Sequence, residues 1–418
     1  MTTSRLIGYK ALADLVGKLS LFLIVVQSAR VLPVSTFGLL WLAVTLGWIL
    51  SVASDFGAQL HVARAVARRP HQAGAIVRPW FRLRLVSTVA ALGVAMPITI
   101  GLAPRAEAPA FFAVVLAQLV SALVEFVNHY YRGLSRTEIE SSLTIAHRLT
   151  SLAATLVVLA LAPSLGALAV ALLVPAAATL GVSLALAARV GARGHARADV
   201  SPIRPDRSLA GEFRREVAPI GLGILLSALY FRVDVFLVQA WVGMEAVGRY
   251  NAVFRLADAL RLFPAAVLAV VFPALCRARD MGPLGRVAAG LAGAGGLAAA
   301  AAWALAPWMV GTFYGPAYVE AVPAFRVLLL SVPFFFLNYA LTHQLIGWDG
   351  ERAYAWLCGA ALMANLAGNA LLVPRLGING AAWATLATEL VVTTGCLVGL
   401  AAARTRRTGL ETPVPVAS

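Results

Sequence analysis

The chain has 418 residues, 60% of them hydrophobic and 13% charged, with a mean hydropathy of +0.83. A soluble domain could not cover so much apolar side chain, so the composition excludes one and indicates a multi-span membrane protein. The net charge of +15 would suggest nucleic acid in a soluble protein; in a membrane protein Lys and Arg collect in cytoplasmic loops, and no nucleic-acid partner is expected.

Crossing a hydrocarbon core of about 30 Å takes roughly 20 helical residues. Six stretches of that length come first, at about 7–30, 36–62, 81–103, 109–131, 139–162 and 166–188. No leader with a short apolar core and a small-residue cleavage site opens the chain, so the first stretch is expected to remain as a helix. The polar run Arg189 to Glu216 follows, with seven arginines, four acids and two prolines. Six further stretches come after it, at about 217–240, 246–275, 287–312, 322–346, 353–373 and 379–403. None alternates with period two, so helices are predicted throughout. Cys276, Cys358 and Cys396 lie in or beside apolar segments without paired spacing. Neither a disulfide framework nor a zinc site is indicated, and no metal or cofactor is expected.

Charge in the connections sets the orientation. Arg64, Arg68, Arg69, Arg78, Arg136, Arg277, Arg279, Arg404, Arg406 and Arg407 fall in even-numbered connections or the C-terminal tail, while odd-numbered connections hold almost no base. The positive-inside rule therefore predicts cytoplasmic termini and a cytoplasmic linker. Phe37-Gly38 is answered by Val247-Gly248, Gln27 by Gln239, and Pro163 to Ala167 by Pro374 to Ile378, at a near-constant offset. This pattern predicts duplicated six-helix bundles. The expected organisation is a lobe over 1–188, a linker over 189–216, a second lobe over 217–404 and a tail over 405–418.

Several motifs resemble one family. The stretch Asn365 to Thr385 (NLAGNALLVPRLGINGAAWAT) is similar to the eleventh-to-twelfth-span signature of the polysaccharide flippases, as are Phe313 to Tyr318 (FYGPAY) and Phe325 to Leu328 (FRVL). Asp55-Phe56-Gly57, Val247-Gly248-Arg249-Tyr250 and Phe272-Pro273-Ala274-Leu275 are also similar to patterns there. These flippases share a superfamily with multidrug and toxin extruders and lipid II flippases. The resemblance implies an all-α polytopic protein of about twelve spans, in two pseudo-symmetric six-helix lobes around a central cavity. It also implies outward movement of polyprenyl-diphosphate-linked oligosaccharide. Lipid II flippases usually carry two further helices, and a chain stopping at Ser418 is expected to lie outside that branch.

Charges inside spans carry the chemistry, because a charge at the bilayer centre costs at least about 2.5–3.5 kcal/mol and normally faces protein or water. Lys10, Asp14 and Lys18 share one face of the first span, and Arg255, Asp258 and Arg261 share one side of the eighth. Arg232 and Asp234 on the seventh span and Arg148 on the fifth extend the set. Lysine and arginine can replace the counterions of a diphosphate, with arginine offering a bidentate fork. Asp14, Asp234 and Asp258 would balance the charge or exchange protons. Lys10-Asp14-Lys18 can also be read as an intrahelical ion-pair ladder, and Arg255 with Asp258 as a buried structural pair. Glu125, His129 and Arg132 fall at i, i+4 and i+7 on the fourth span. They form either a proton relay coupled to alternating access or an ion pair at the cytoplasmic end with a satisfied histidine. Glu389 is the other candidate for ion coupling. Asp55 is read as a helix-end partner for a base, Arg249 and Arg326 as interfacial anchors, and Asn365 with Asn369 as interhelical glue.

Enzyme readings lack their constellations. Gly17-Lys18-Leu19-Ser20 ends like a phosphate-binding loop, but the required earlier glycine is replaced by Leu12. No segment outside the membrane exceeds the linker, which leaves no room for an ATPase domain. The sequence thus points to a non-enzymatic flippase of a bacterial inner membrane, serving surface polysaccharide synthesis by alternating access. A lipid-linked anionic glycan and the bilayer are its expected partners, and a glycan polymerase or glycosyltransferase is a candidate one. The alternatives are a cation extruder of the same architecture and a membrane polymerase or ligase.

Overall fold

The computed structural model describes residues 3–195, 209–260, 262–277, 282–348 and 350–409. Among them all regular structure is helical, the form that satisfies every backbone group within its own segment in lipid. The chain divides into two compact units, residues 1–225 and 226–418.

The first unit contains α1 (Thr3–Val31), α2 (Val34–Asp55), α3 (Ala58–Arg68), α4 (Ala73–Leu102), α5 (Ala108–Gly133), α6 (Thr137–Leu161) and α7 (Leu165–His195). A short α8 (Leu209–Glu212), one π-helical turn (Phe213–Val217) and the start of α9 (Ala218–Arg232) complete it. The second unit takes the rest of α9, then α10 (Asp234–Val242), α11 (Met244–Ala259), α12 (Leu262–Arg277), α13 (Gly282–Ala304), α14 (Ala306–Tyr314), α15 (Val322–Gly347), α16 (Glu351–Leu376) and α17 (Ile378–Gly409). Helix therefore reaches into both ends of the predicted linker, and residues 196–208 lie outside the described part.

Packing repeats between the units. In the first, α5 packs on α2, α4 and α7, while α1 pairs with α6 and α6 with α7. In the second, α15 packs on α11, α13 and α17, while α10 pairs with α16 and α16 with α17. The same spans meet in the same order, as expected of a duplicated bundle. Apolar side chains such as Val86, Val89 and Ile100 on α4, Leu161 on α6 and Val174 on α7 stay exposed. A soluble surface does not tolerate such a display, and a lipid face requires it.

Eleven described segments are long and apolar enough to cross a bilayer. The span predicted over 246–275 is missing from that set because it is divided into α11 and α12, of 16 residues each. The second span is divided too. Phe56 and Gly57 take left-handed backbone at φ 46° and 87°, and the Asp55 carboxylate accepts the Gly57 and Gln59 amides at 3.1 and 3.3 Å. The carboxylate thus caps α3 just past the break. Its nearest base is Arg84 on α4, whose Nε stands 3.9 Å away.

Candidate functional site

Three helices of the first unit meet around one carboxylate. Glu140, near the start of α6 and 1% exposed, receives Lys10 Nζ from α1 at 2.8 Å and Arg132 Nη2 from α5 at 2.6 Å. Lys10 also reaches Asp14 at 2.9 Å. Arg132 continues to Glu125 at 3.0 Å and to His129 Nε2 at 3.1 Å, while His129 Nδ1 faces the Glu125 carbonyl at 3.0 Å. The predicted Lys10-Asp14-Lys18 ladder is therefore only half present, because Lys10 turns to another helix. Glu125, His129 and Arg132 do come together, in a network that the sequence reading left without its centre, Glu140.

Lys18 stands apart from that network. It lies mid-way along α1 and is exposed, as is Arg148 mid-way along α6. Neither forms an ion pair among the described residues. Arg148 lies along α1: its Cγ and Nε come within 3.6 and 3.7 Å of where a Cβ on Gly17 would stand. The paired helices α1 and α6 thus carry two mid-span bases with open surface and a run of satisfied charges further along.

In the second unit Arg232 and Asp234 flank the break between α9 and α10, and both are buried. Arg232 donates to Asn251 Oδ1 and lays its guanidinium over the Phe254 ring at 4.3 Å. Asp234 accepts the Tyr250 hydroxyl at 2.5 Å and the Val235 amide at 2.8 Å. This buried cluster holds α9, α10 and α11 together. Tyr250 enters the sequence analysis only as the end of the Val247 to Tyr250 motif and Asn251 not at all; their spacing of 16 and 19 residues from their partners gives no periodic signal.

Further along α11, Arg255 Nη1 lies 3.8 Å from Asp258 Oδ2, with side chains 22% and 28% exposed. Asp258 borders a small cleft inside this unit, walled by Phe254, Phe335 and Phe336 with Ser331 and Thr385. Arg261 lies outside the described residues. Glu389 is buried on α17, where it accepts Asn338 Nδ2 of α15 at 2.7 Å, and Thr393 donates to Asn338 Oδ1 at 2.7 Å. Asn365 donates to Thr388 at 3.3 Å between α16 and α17 and receives Asn369 at 2.9 Å. Arg249 reaches Glu245 and Glu320 at 3.5 and 3.4 Å, and Arg326 stacks over Trp303 at 4.4 Å.

The arrangement treats acids and bases differently. Its acids within spans are engaged: Glu140 by two bases, Asp234 by a phenol and Glu389 by an amide. Bases keep open surface in each unit, at Lys18 and Arg148 in the first and at Arg255, which is partly exposed, in the second. Such groups suit recognition of an anion.

A family model described as polysaccharide biosynthesis protein matches residues 5–279. No curated protein matches the chain. Among solved structures, an inward-facing multidrug resistance MATE family transporter of the MOP superfamily superposes with a TM-score of 0.73 at 14% identity, covering 95% of this chain and 96% of the other. The Vibrio cholerae MATE transporter VcmN in its bent form gives 0.64 at 16% identity, covering 97% and 98%. A MOP superfamily transporter from Pyrococcus furiosus, described as having a binding pocket of reversed polarity that suggests a different function, gives 0.63 at 15% identity over 98% and 96%. At these identities the likeness is one of fold.

Proposed function

This chain belongs to the polysaccharide biosynthesis protein family, and on that premise we propose that it is a flippase for polyprenyl-diphosphate-linked oligosaccharide. It is a multi-pass membrane protein of the MOP transporter fold. In the proposed reaction the anionic headgroup crosses from the inner to the outer leaflet by alternating access, with no covalent step. The lipid tail trails through the bilayer. The setting is a bacterial cytoplasmic membrane with both termini inside, where glycosyltransferases supply the substrate and a polymerase consumes it.

One observation supports the anionic substrate above others. Lys18 and Arg148 sit mid-span on paired helices, exposed and without an ion-pair partner among the described residues. Facing lipid, each would cost at least about 2.5–3.5 kcal/mol, so we assign this face to a water-filled path. A diphosphate entering it gains two cations whose hydration it replaces. Arg255 offers the same chemistry within the second unit, where Asp258 balances its charge. Lys10, Asp14, Glu125 and His129 belong to the network around Glu140 and serve to hold α1, α5 and α6 together. Arg232 and Asp234 play the same part for α9 to α11.

A second reading, extrusion of organic cations, is favoured by the cleft at Asp258, where a carboxylate stands among three phenyl rings. Reconstitution separates the two. Proteoliposomes receive a labelled polyprenyl-diphosphate sugar, and an impermeant enzyme trims only outward-facing headgroups. Protein-dependent trimming beyond one leaflet's share supports the flippase. Efflux of cationic dyes with no trimming supports the extruder instead.

A further inference from the structure

The stretch that joins the two halves carries a cluster that the proposed transport chemistry does not use. His61 on α3 is 8% exposed, and each of its ring nitrogens faces a carboxylate from that stretch: Nε2 lies 2.9 Å from Glu212 Oε1 and Nδ1 lies 3.4 Å from Glu216 Oε2. One ligand atom from each of the three falls within 4.8 Å of the others. The Trp80 ring, 4.8 Å away, fixes the imidazole plane.

The surroundings hold this geometry in place. Phe213 stacks on Phe56 at 5.9 Å and on Trp80 at 6.5 Å. Val217 is buried in the same apolar cluster as Val62, Trp80 and Tyr130. Four residues past the π-helical turn, α9 comes so close to the break after α2 that a Cβ on Gly221 would stand 2.1 Å from the Phe56 carbonyl oxygen. Glu212 immediately precedes that π-helical turn, Phe213–Val217, and Glu216 lies within it, a local irregularity that often marks functional positions. The two carboxylates are 33% and 42% exposed, so an ion can reach the cluster from outside while the histidine behind it is shielded.

We propose that His61, Glu212 and Glu216 bind one first-row divalent cation, with Zn²⁺ the best match. A donor set of one imidazole nitrogen and two carboxylate oxygens suits zinc; magnesium and calcium prefer all-oxygen shells. Zinc bonds of about 2.0–2.2 Å place tetrahedral ligand atoms roughly 3.3–3.5 Å apart; one ring nitrogen takes the ion, and with one ligand atom of each residue within 4.8 Å of the others the partly exposed carboxylates need only a short turn to meet it. Water takes the fourth position. Bound there, the ion ties the connecting segment to α3 and locks the π-helical turn. Its effect on transport rests on the flippase reading: the tie opposes any rearrangement in which this segment leaves α3, so zinc slows translocation. The binding itself does not depend on that reading.

The test uses the full-length protein in detergent, stripped with a chelator and titrated with Zn²⁺, with metal content and melting temperature as readouts. One saturable zinc per chain is expected, with a raised Tm. Glu212→Gln and Glu216→Gln, both at partly exposed positions and therefore compatible with folding, weaken binding at least tenfold and abolish the Tm shift. Mg²⁺ and Ca²⁺ at the same concentrations give neither effect. Absence of saturable uptake, or uptake that survives both variants, overturns the site. Binding that leaves translocation unchanged in proteoliposomes overturns its regulatory role alone.

Discussion

Lys10 of α1 and Glu140 of α6 lie 2.8 Å apart across 130 residues of chain. Their contact turns a lysine that helical spacing assigns to its own helix into a tie between two helices. Arg132 approaches the same carboxylate from α5 at 2.6 Å, so one acid with 1% exposure holds three spans. Glu140→Gln removes the charge and leaves two bases facing an amide. Breaking a buried pair in this way costs roughly 3–5 kcal/mol, and the partial exposure of Lys10 and Arg132 places this case at the lower end. A clear loss of Tm in detergent is expected, with Lys10→Met giving a smaller one because Arg132 remains.

Tyr250→Phe tests the buried cluster of the second unit. The phenol donates to Asp234 at 2.5 Å, and Asp234 is 1% exposed. A hydrogen bond to a charged group contributes about 1.5–3 kcal/mol. Thermal unfolding should show a loss in that range, and Asp234→Asn together with Tyr250→Phe should cost less than the sum of the single changes.

Gly221→Ala probes a close approach. Its Cβ would stand 2.1 Å from the Phe56 carbonyl oxygen and 2.8 Å from the carbonyl carbon, and backbone cannot give way as a side-chain tip can. A loss of about 1–3 kcal/mol follows from forced overpacking. Increased protease cleavage near residues 209–217 is the accompanying readout.

Asn338→Leu separates packing from transport. Asn338 donates to the Glu389 carboxylate at 2.7 Å and to its carbonyl at 2.9 Å. Interhelical bonds in membranes contribute about 0.6–2 kcal/mol, but removing this one strands a buried acid. The leucine variant should melt earlier than wild type, whereas restoring an amide with Asn338→Gln should recover part of the loss.

Much of the architecture was legible because hydropathy is a local signal. Runs of apolar residues gave the spans, and the offset between Phe37-Gly38 and Val247-Gly248 foreshadowed packing that repeats between units. The breaks were not legible from hydropathy. Nothing apolar distinguishes residues 55–57 from their neighbours, and the division there depends on left-handed backbone at Phe56 and Gly57 and on Asp55 capping the next helix. The division of the eighth span into α11 and α12 went unseen for the same reason. Polar partners split along similar lines. Glu125, His129 and Arg132 share one helix and could be read together, whereas Glu140, Tyr250 and Asn338 act across helices whose adjacency only the fold reveals. Lys18 and Arg148 both stand out in the sequence by the one rule that a charge deep in a span needs a reason.

Neutralising Lys18 and Arg148 in the reconstituted flipping assay shows whether these two bases meet the anionic headgroup. Lys18→Ala and Arg148→Ala are compared with wild type on a labelled polyprenyl-diphosphate sugar, with Tm measured on the same preparations. At least a tenfold fall in outward trimming is expected for each variant, with partial recovery in Arg148→Lys and little change in Tm because neither base holds an ion pair among the described residues. Wild-type trimming rates in both alanine variants would contradict that contact with the headgroup.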